Sequence, residues 1–94
     1  MKNRTASHLV SELVQEVLNT ISEPYPENIT DQVCLAIENR SAWLNRYRTL
    51  VKDHGKYAVN PQIGRSTLQF THLRNLGTQS KATSSLIKTY TRLG

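Results

Sequence analysis

Apolar side chains between Leu9 and Ile21 recur with helical spacing, and any fold of this chain must bury the stripe that they form. The spacing puts them on one continuous face of an α-helix and fits no alternating strand. We expect this helix to begin near Ser7, whose hydroxyl can cap free amides, and to end before Pro24. The stripe consists of Leu9, Val10, Leu13, Val14, Val17, Leu18 and Ile21.

A second helical pattern starts at Thr30, which is suited to be an N-cap, with Asp31 placed favourably at the positive end of the helix dipole. This helical pattern ends at Gly55. Ser41 lies in its middle and can cap a new helix, so the sequence allows either one kinked helix or two. The predicted buried face contains Val33, Ile37, Leu44, Tyr47 and Val51, with Leu50 beside it.

Asn60 and Pro61 form another helix start signal, because proline at the first helical position loses no hydrogen bond. The predicted face is Ile63, Thr67, Phe70, Leu73 and Leu76, with an end at Gly77, although Ser66–His72 also fits a short strand. A last helix, capped by Ser80 or Thr83, would bury Leu86, Ile87, Tyr90 and Leu93. These patterns predict an all-α fold: a compact bundle of about four helices in a single small domain, residues 1–94.

Membrane insertion and secretion are not expected from this sequence. The longest apolar runs fall far short of the roughly 18–20 residues that a membrane span requires. The basic start of the chain lacks the continuous apolar core of a signal peptide, which predicts a cytoplasmic protein. The single cysteine, Cys34, cannot form an internal disulfide, and its apolar surroundings in the sequence predict a small buried side chain.

Charge is distributed very unevenly along the 94 residues, whose net charge is +5. Residues 1–39 hold two cations against six acids, whereas residues 40–53 hold four cations against Asp53. Residues 54–94 hold six cations and no acid. Helix surfaces usually mix the two signs, because mixing provides pairs three or four residues apart and avoids self-repulsion.

The acid-free segment is also rich in serine and threonine, and hydroxyls with long cations are the side chains that contact phosphate oxygens. On the predicted last helix, cations and hydroxyls recur at spacings of three and four residues, opposite the apolar face. We therefore predict a nucleic-acid-binding surface, in which Lys88 and Arg92 make the principal phosphate contacts. The other predicted contact residues are Lys81, Arg74, Arg65, Ser84, Ser85 and Thr89.

The C-terminal region has the rough outline of a helix-turn-helix. Gly77-Thr78-Gln79 would be its turn, and Thr83–Arg92 would be the helix that enters a major groove. The outline is loose, because Leu73 and His72 occupy neighbouring positions that the motif fills with small residues. The same charges also fit an ordinary solvated basic face. Trp43 and Tyr47 are close to several arginines. Tyr47 is predicted to lie in the core and Trp43 at the edge of the apolar face, where core or interface packing is favoured over stacking on a base.

Catalytic and metal-binding motifs are absent from the sequence. His8, His54 and His72 lie in separate segments, so the sequence does not bring the histidines together as a metal-binding cluster. Phosphate-binding glycine loops and nucleophile-elbow motifs are missing as well. We therefore expect a protein that is not an enzyme and needs no cofactor or metal.

Two functional hypotheses follow from these patterns. The first is a small regulatory protein that binds nucleic acid, with DNA the favoured partner, through its basic C-terminal half. The alternative is a protein-interaction or inhibitor module that binds an acidic protein surface or forms a homodimer. In that case the oppositely charged halves set partner choice, and the stripe of the first helix supplies an oligomer face.

Overall fold

Four α-helices and one pair of strands follow one another in the part of the chain that the structure describes. The computed structural model describes the backbone of residues 5–81 and 89–93 and the side chains of residues 5–74. The helices are α1 (Ala6–Leu18), α2 (Ile29–Asn39), α3 (Ser41–His54) and α4 (Lys56–Thr71). The strands are β1 (Asn75–Lys81) and β2 (Thr89–Leu93). The predicted bundle of four helices is confirmed, although its helices are not the four predicted ones.

Helix α1 forms where its apolar stripe predicts it. Thr5, rather than Ser7, is the N-cap, and its hydroxyl accepts a hydrogen bond from the backbone amide of His8 at 3.2 Å. The helix ends at Leu18, well before Pro24. The inner face of α1 is buried, as predicted, and consists of Val10, Leu13, Val14, Val17 and Leu18.

The second predicted helix is two helices in the structure. Arg40 has an extended backbone (φ −124°, ψ 117°), which separates α2 from α3. Helix α2 begins at Ile29 with Asn28 as its N-cap, two residues before the predicted cap Thr30, and Asp31 lies in its first turn. The split lets each helix turn its own apolar face inwards, so α3 buries Trp43, Tyr47 and Leu50. The predicted core residues Leu44 and Val51 are only half-buried.

Helix α4 begins at Lys56, five residues before Pro61, so the predicted start at Asn60-Pro61 is wrong. Pro61 removes the hydrogen bond that its own amide would donate to the carbonyl of Tyr57, and its ring crowds that carbonyl, so the early start has a cost. The extra turn brings Val59 into the core beside Ile63, and both are fully buried. Residues 66–71 are helical, which resolves the ambiguity between helix and strand in favour of helix.

The hydrophobic core joins all four helices. Besides the residues of α1, it contains Ile29, Val33, Cys34 and Ile37 from α2, three residues from α3, and Val59 and Ile63 from α4. Helix α1 packs extensively against α4 and also contacts α2 and α3. None of the helices in the described part of the chain is both long enough and apolar enough to cross a membrane.

The predicted C-terminal helix is wrong. Strands β1 and β2 pair antiparallel, with Lys81 opposite Thr89 and Asn75 opposite Leu93, and the register is irregular between Asn75 and Gln79. The segment Thr89-Tyr90-Thr91 is composed of β-branched and aromatic residues, which favour strands over helices. The predicted helix-turn-helix is wrong as well, because its turn, Gly77-Thr78-Gln79, lies inside β1. The rest of that predicted helix, residues 82–88, lies outside the described residues.

Candidate nucleic-acid interface

The residues predicted to bind nucleic acid do not share a helix face. Arg65 is exposed on α4, and Arg74 is exposed in the segment that follows it. Lys81 ends β1 and Thr89 begins β2, where the two are register partners, while Arg92 lies further along β2. The single face proposed for Lys81, Lys88 and Arg92 is therefore not formed. Ser84, Ser85 and Lys88 lie outside the described residues.

Exposed cations are concentrated instead on α3, on α4 and at their ends. Asp53 is the only acid between residues 40 and 74, and the same stretch carries six exposed cations. On α3, Arg48 and Lys52 are four residues apart and therefore share one side of the helix. The six are Arg40, Arg48, Lys52, Lys56, Arg65 and Arg74. We call these residues the basic set.

Ion pairs neutralise charge elsewhere in the bundle. Arg46 of α3, which is not in the basic set, pairs with Glu16 of α1. On α1, His8 Nε2 lies 3.3 Å from Glu12 Oε1. Among the described residues, no salt bridge joins Arg48, Lys52, Lys56, Arg65 or Arg74 to a carboxylate. Their charge is therefore available to an anionic partner.

Helices α3 and α4 meet at a corner formed by a single residue, Gly55, whose φ is 85°. Exposed Lys52 and Lys56 flank the corner. Tyr57, in the first turn of α4, is 86% exposed and is the only large hydrophobic side chain among residues 5–74 with such exposure. Lys56 Nζ lies 5.4 Å from the centre of its ring. Exposed aromatic rings next to cations can stack on nucleic-acid bases.

Tyr47 belongs to the core, as predicted, and so does Trp43, which was expected at the edge of the apolar face. Each is only 7% exposed. The guanidinium carbon of Arg40 lies 4.4 Å from the centre of the Trp43 ring, so this arginine covers the rim of the core while its charge stays at the surface. The hydroxyl of Tyr47 donates a hydrogen bond to Asn60 Oδ1 at 2.6 Å, which ties α3 to α4. Burial raises the pKa of Tyr47 despite this hydrogen bond.

A chain of polar side chains runs from α1 through the α1–α4 contact to the surface of α4. Ser11 Oγ and Ser66 Oγ lie 2.8 Å apart. Gln62 Nε2 donates to Ser66 Oγ at 3.0 Å, and Arg65 Nε donates to Gln62 Oε1 at 3.0 Å. We call these four residues the polar chain. Of these four residues only Arg65 was predicted as a contact residue, because Ser11 and Ser66 are 55 residues apart and no local pattern links them.

Cys34 is buried in α2 with 1% exposure, in agreement with the expected structural role. Burial raises the pKa of its thiol to about 12, with smaller contributions from the nearby charges of Asp31 and Glu38. A thiol with so high a pKa is neutral at physiological pH and is a poor nucleophile. The described residues contain no group of three or more His, Cys, Asp and Glu side chains placed to hold a metal ion.

The burial of Cys34 predicts slow reaction with thiol reagents. We expect a disulfide reagent at neutral pH to label the native protein at least about a thousandfold more slowly than the urea-unfolded chain, because a pKa difference of about three units suppresses the thiolate by that factor. Absorbance of the released thiolate measures both rates. Labelling of the folded protein at the unfolded rate would contradict the buried placement.

The raised pKa values also predict sensitivity to alkali. Cys34 ionises in the unfolded chain near its ordinary pKa of 9.0 but in the folded chain only near 12. Its contribution to stability is therefore complete below pH 9 and is lost as the pH rises towards 12. We expect the melting temperature to fall over this range, and less steeply in Cys34→Ala. An equal fall in both proteins would assign the alkaline sensitivity to other groups.

Comparison of the chain with protein-family models, with curated proteins and with solved structures found no match in any of the three.

Proposed function

We propose that this protein binds nucleic acid through the basic set on α3 and α4, with duplex DNA as the favoured partner. A regulatory rather than an enzymatic role fits such a module. The proposal keeps the chemistry predicted from the sequence but moves its centre from the C-terminal residues to the two helices that precede them. Arg65 and Arg74 belong both to the contact residues predicted from the sequence and to the basic set.

One observation carries this proposal: six exposed cations and a single acid lie between residues 40 and 74. The bundle pairs Arg46 with Glu16, yet no described carboxylate pairs with Arg48, Lys52 or Lys56. Positive charge that is left unpaired on consecutive helices gives the electrostatic attraction on which sequence-independent binding to phosphates depends. The two-stranded pair that follows α4 carries Lys81 and Arg92, which extend the basic sequence beyond the helices.

The protein-interaction alternative depended partly on a surplus apolar face of the first helix. The structure shows that Val10, Leu13, Val14 and Val17 are buried within a single chain. Most of the stripe therefore packs in the protein's own core, and only Leu9 and Ile21 are half-buried, which weakens the support that the stripe gives to this alternative. Charge complementarity with an acidic partner is what remains in support of that alternative.

A salt titration with a matched pair of variants tests the proposal. Arg48 and Arg46 are the same residue type on the same helix, but Arg46 is paired with Glu16 and Arg48 is exposed without such a pair. Fluorescence anisotropy of a labelled duplex, measured between about 50 and 200 mM salt, gives the slope of log K against log salt. We expect Arg48→Gln to reduce this slope by about one unit and Arg46→Gln to leave it nearly unchanged.

Each variant lowers the net charge by one, so a nonspecific effect of total charge would change both slopes equally. Equal slopes, or wild-type binding that vanishes at physiological salt, would contradict the proposal. In the second case the acidic-partner alternative becomes the better account. Circular dichroism confirms that both variants are folded before they are compared.

A further inference from the structure

We propose that Arg65 is a base-reading residue that recognises a guanine edge in the major groove, and that Gln62 orients it for this task. This inference rests on the proposed function, but it assigns sequence specificity, which the basic set alone does not supply. Most cations of the set would attract any phosphate backbone. Arg65 differs from them because its guanidinium is held by a hydrogen bond from within the bundle.

Gln62 is 9% exposed and makes one hydrogen bond with each end of its amide group. Its Nε2 donates to buried Ser66, which leaves Oε1 directed to Arg65 Nε. Ser66 is fixed in turn by the hydroxyl of Ser11 on α1. The orientation of an exposed arginine is therefore set by a chain of groups that starts on another helix.

The hydrogen bond to Gln62 uses only the Nε–H of Arg65. The outer edge of the guanidinium, formed by Nη1 and Nη2, takes no part in it. Nη1 and Nη2 have no hydrogen-bond partner among the described residues. These two nitrogens form the planar pair of donors that binds O6 and N7 of guanine. Because Gln62 already restrains the side chain, less rotamer entropy is lost when the guanidinium binds a base.

The position of Arg65 on α4 favours a base over a phosphate. It is the tenth residue of the helix, on the same exposed side as Pro61, which lies one turn earlier, and beside Gly64. A Cβ atom on Gly64 would meet nothing within 4 Å, so the surface next to Arg65 is open. The short residues that precede Arg65 on this side let that part of the helix approach the floor of a groove, and exposed Gln69 follows one turn later. Arg48, Lys52 and Lys56 lie on α3 and at the α3–α4 corner, where they can contact the flanking phosphates.

Selection from a randomised duplex library, followed by substitution of 7-deazaguanine at each selected guanine, tests this assignment. The analogue replaces the N7 acceptor by a C–H group and leaves the phosphates intact. We expect one guanine at which the analogue weakens wild-type binding by about tenfold. The same substitution should change the affinity of Arg65→Ala by less than about twofold, because the contact is already missing.

The positioning role of Gln62 has a separate readout. Gln62→Leu keeps a side chain of similar volume but frees the guanidinium, so we expect the selectivity for guanine over 7-deazaguanine to fall severalfold while the salt slope is unchanged. Gln62→Glu retains an acceptor for Arg65 Nε and should restore the selectivity. As a matched control, Arg48→Gln should lower the salt slope but leave the guanine selectivity intact.

Four outcomes would overturn the proposal. If no guanine position responds to the analogue, or if Arg65→Ala weakens all duplexes equally and lowers the salt slope by about one, Arg65 is a phosphate contact. If Gln62→Leu retains full selectivity, Gln62 does not position the arginine. If the wild type binds no duplex, the proposed function itself fails, and this result differs from a loss of selectivity alone.

Discussion

Leu13→Ala is expected to lower the free energy of unfolding by about 3–5 kcal/mol, the largest effect of any single truncation proposed for this protein. Leu13 is 1% exposed and lies on the inner face of α1, the helix that packs against the other three. Truncation removes buried methyl groups and leaves a cavity that fixed helices can only partly close. A domain of this size has a total stability of only about 5–15 kcal/mol, so the variant should be close to unfolding.

Urea denaturation followed by circular dichroism measures this loss, with Leu44→Ala as the control. Leu44 is also a leucine in a helix, but it is only half-buried. It should lose less than half as much stability, because less apolar surface and a smaller cavity are involved. Similar losses for both variants would contradict the assignment of α1 as the centre of the core.

Gly55→Ala is expected to destabilise the protein by about 1–3 kcal/mol through backbone strain alone. Gly55 joins α3 to α4 with φ 85° and ψ 148°, a region that residues with a Cβ atom rarely adopt. The cost is not steric crowding by neighbours, since a Cβ atom at this position would meet nothing within 4 Å. The strain would act on the corner that positions Lys52 and Lys56.

Gly64→Ala provides the opposite control. A Cβ atom there also meets nothing within 4 Å, but Gly64 lies inside α4. We expect this variant to gain about 0.5–1 kcal/mol, because alanine loses less backbone entropy than glycine in a helix. Urea denaturation of the two variants therefore distinguishes the effect of backbone conformation on stability from the effect of available space. A loss at Gly64, or no change at Gly55, would contradict the described geometry of α3 and α4.

The helices were predictable where one face is strongly apolar. Helix α1 carries six of the seven stripe residues, all but Ile21, and its start differs from the prediction by only one or two residues. The inner face of α4 was harder to predict because it includes buried polar residues such as Ser66, Thr67 and Thr71. Thr67 and Thr71 satisfy their hydroxyls by donating to backbone carbonyls four residues earlier, so they can be buried without an apolar signal.

The strand pair could not be read from local spacing alone. Tyr90 and Leu93 are three residues apart, which fits a helix face, although the segment Thr89–Leu93 is a strand in the structure. Strand pairing depends on a partner segment, here Asn75–Lys81, and the sequence does not state that pairing. The abundance of threonine was the available signal, but it was interpreted as phosphate-binding chemistry rather than as strand propensity.

The candidate interface was predicted in its chemistry but not in its location. The absence of acids from residues 54–94 indicated that the C-terminal part of the chain is basic, and Arg65 and Arg74 are exposed there. Which cations stay unpaired depends on long-range contacts, such as the pair between Arg46 and Glu16, which are 30 residues apart. The orientation of Arg65 likewise depends on Ser11, far away in the sequence.

The most direct test of the central claim is an amide NMR titration of the full chain with a short duplex at physiological salt. The account predicts that chemical-shift changes concentrate on α3 and α4, around Arg48, Lys52, Lys56 and Arg65. The acidic loop between α1 and α2, which contains exposed Glu23 and Glu27, should show no change. Chemical-shift changes confined to α1, α2 and the loop between them, or no changes at all, would contradict a nucleic-acid interface on α3 and α4.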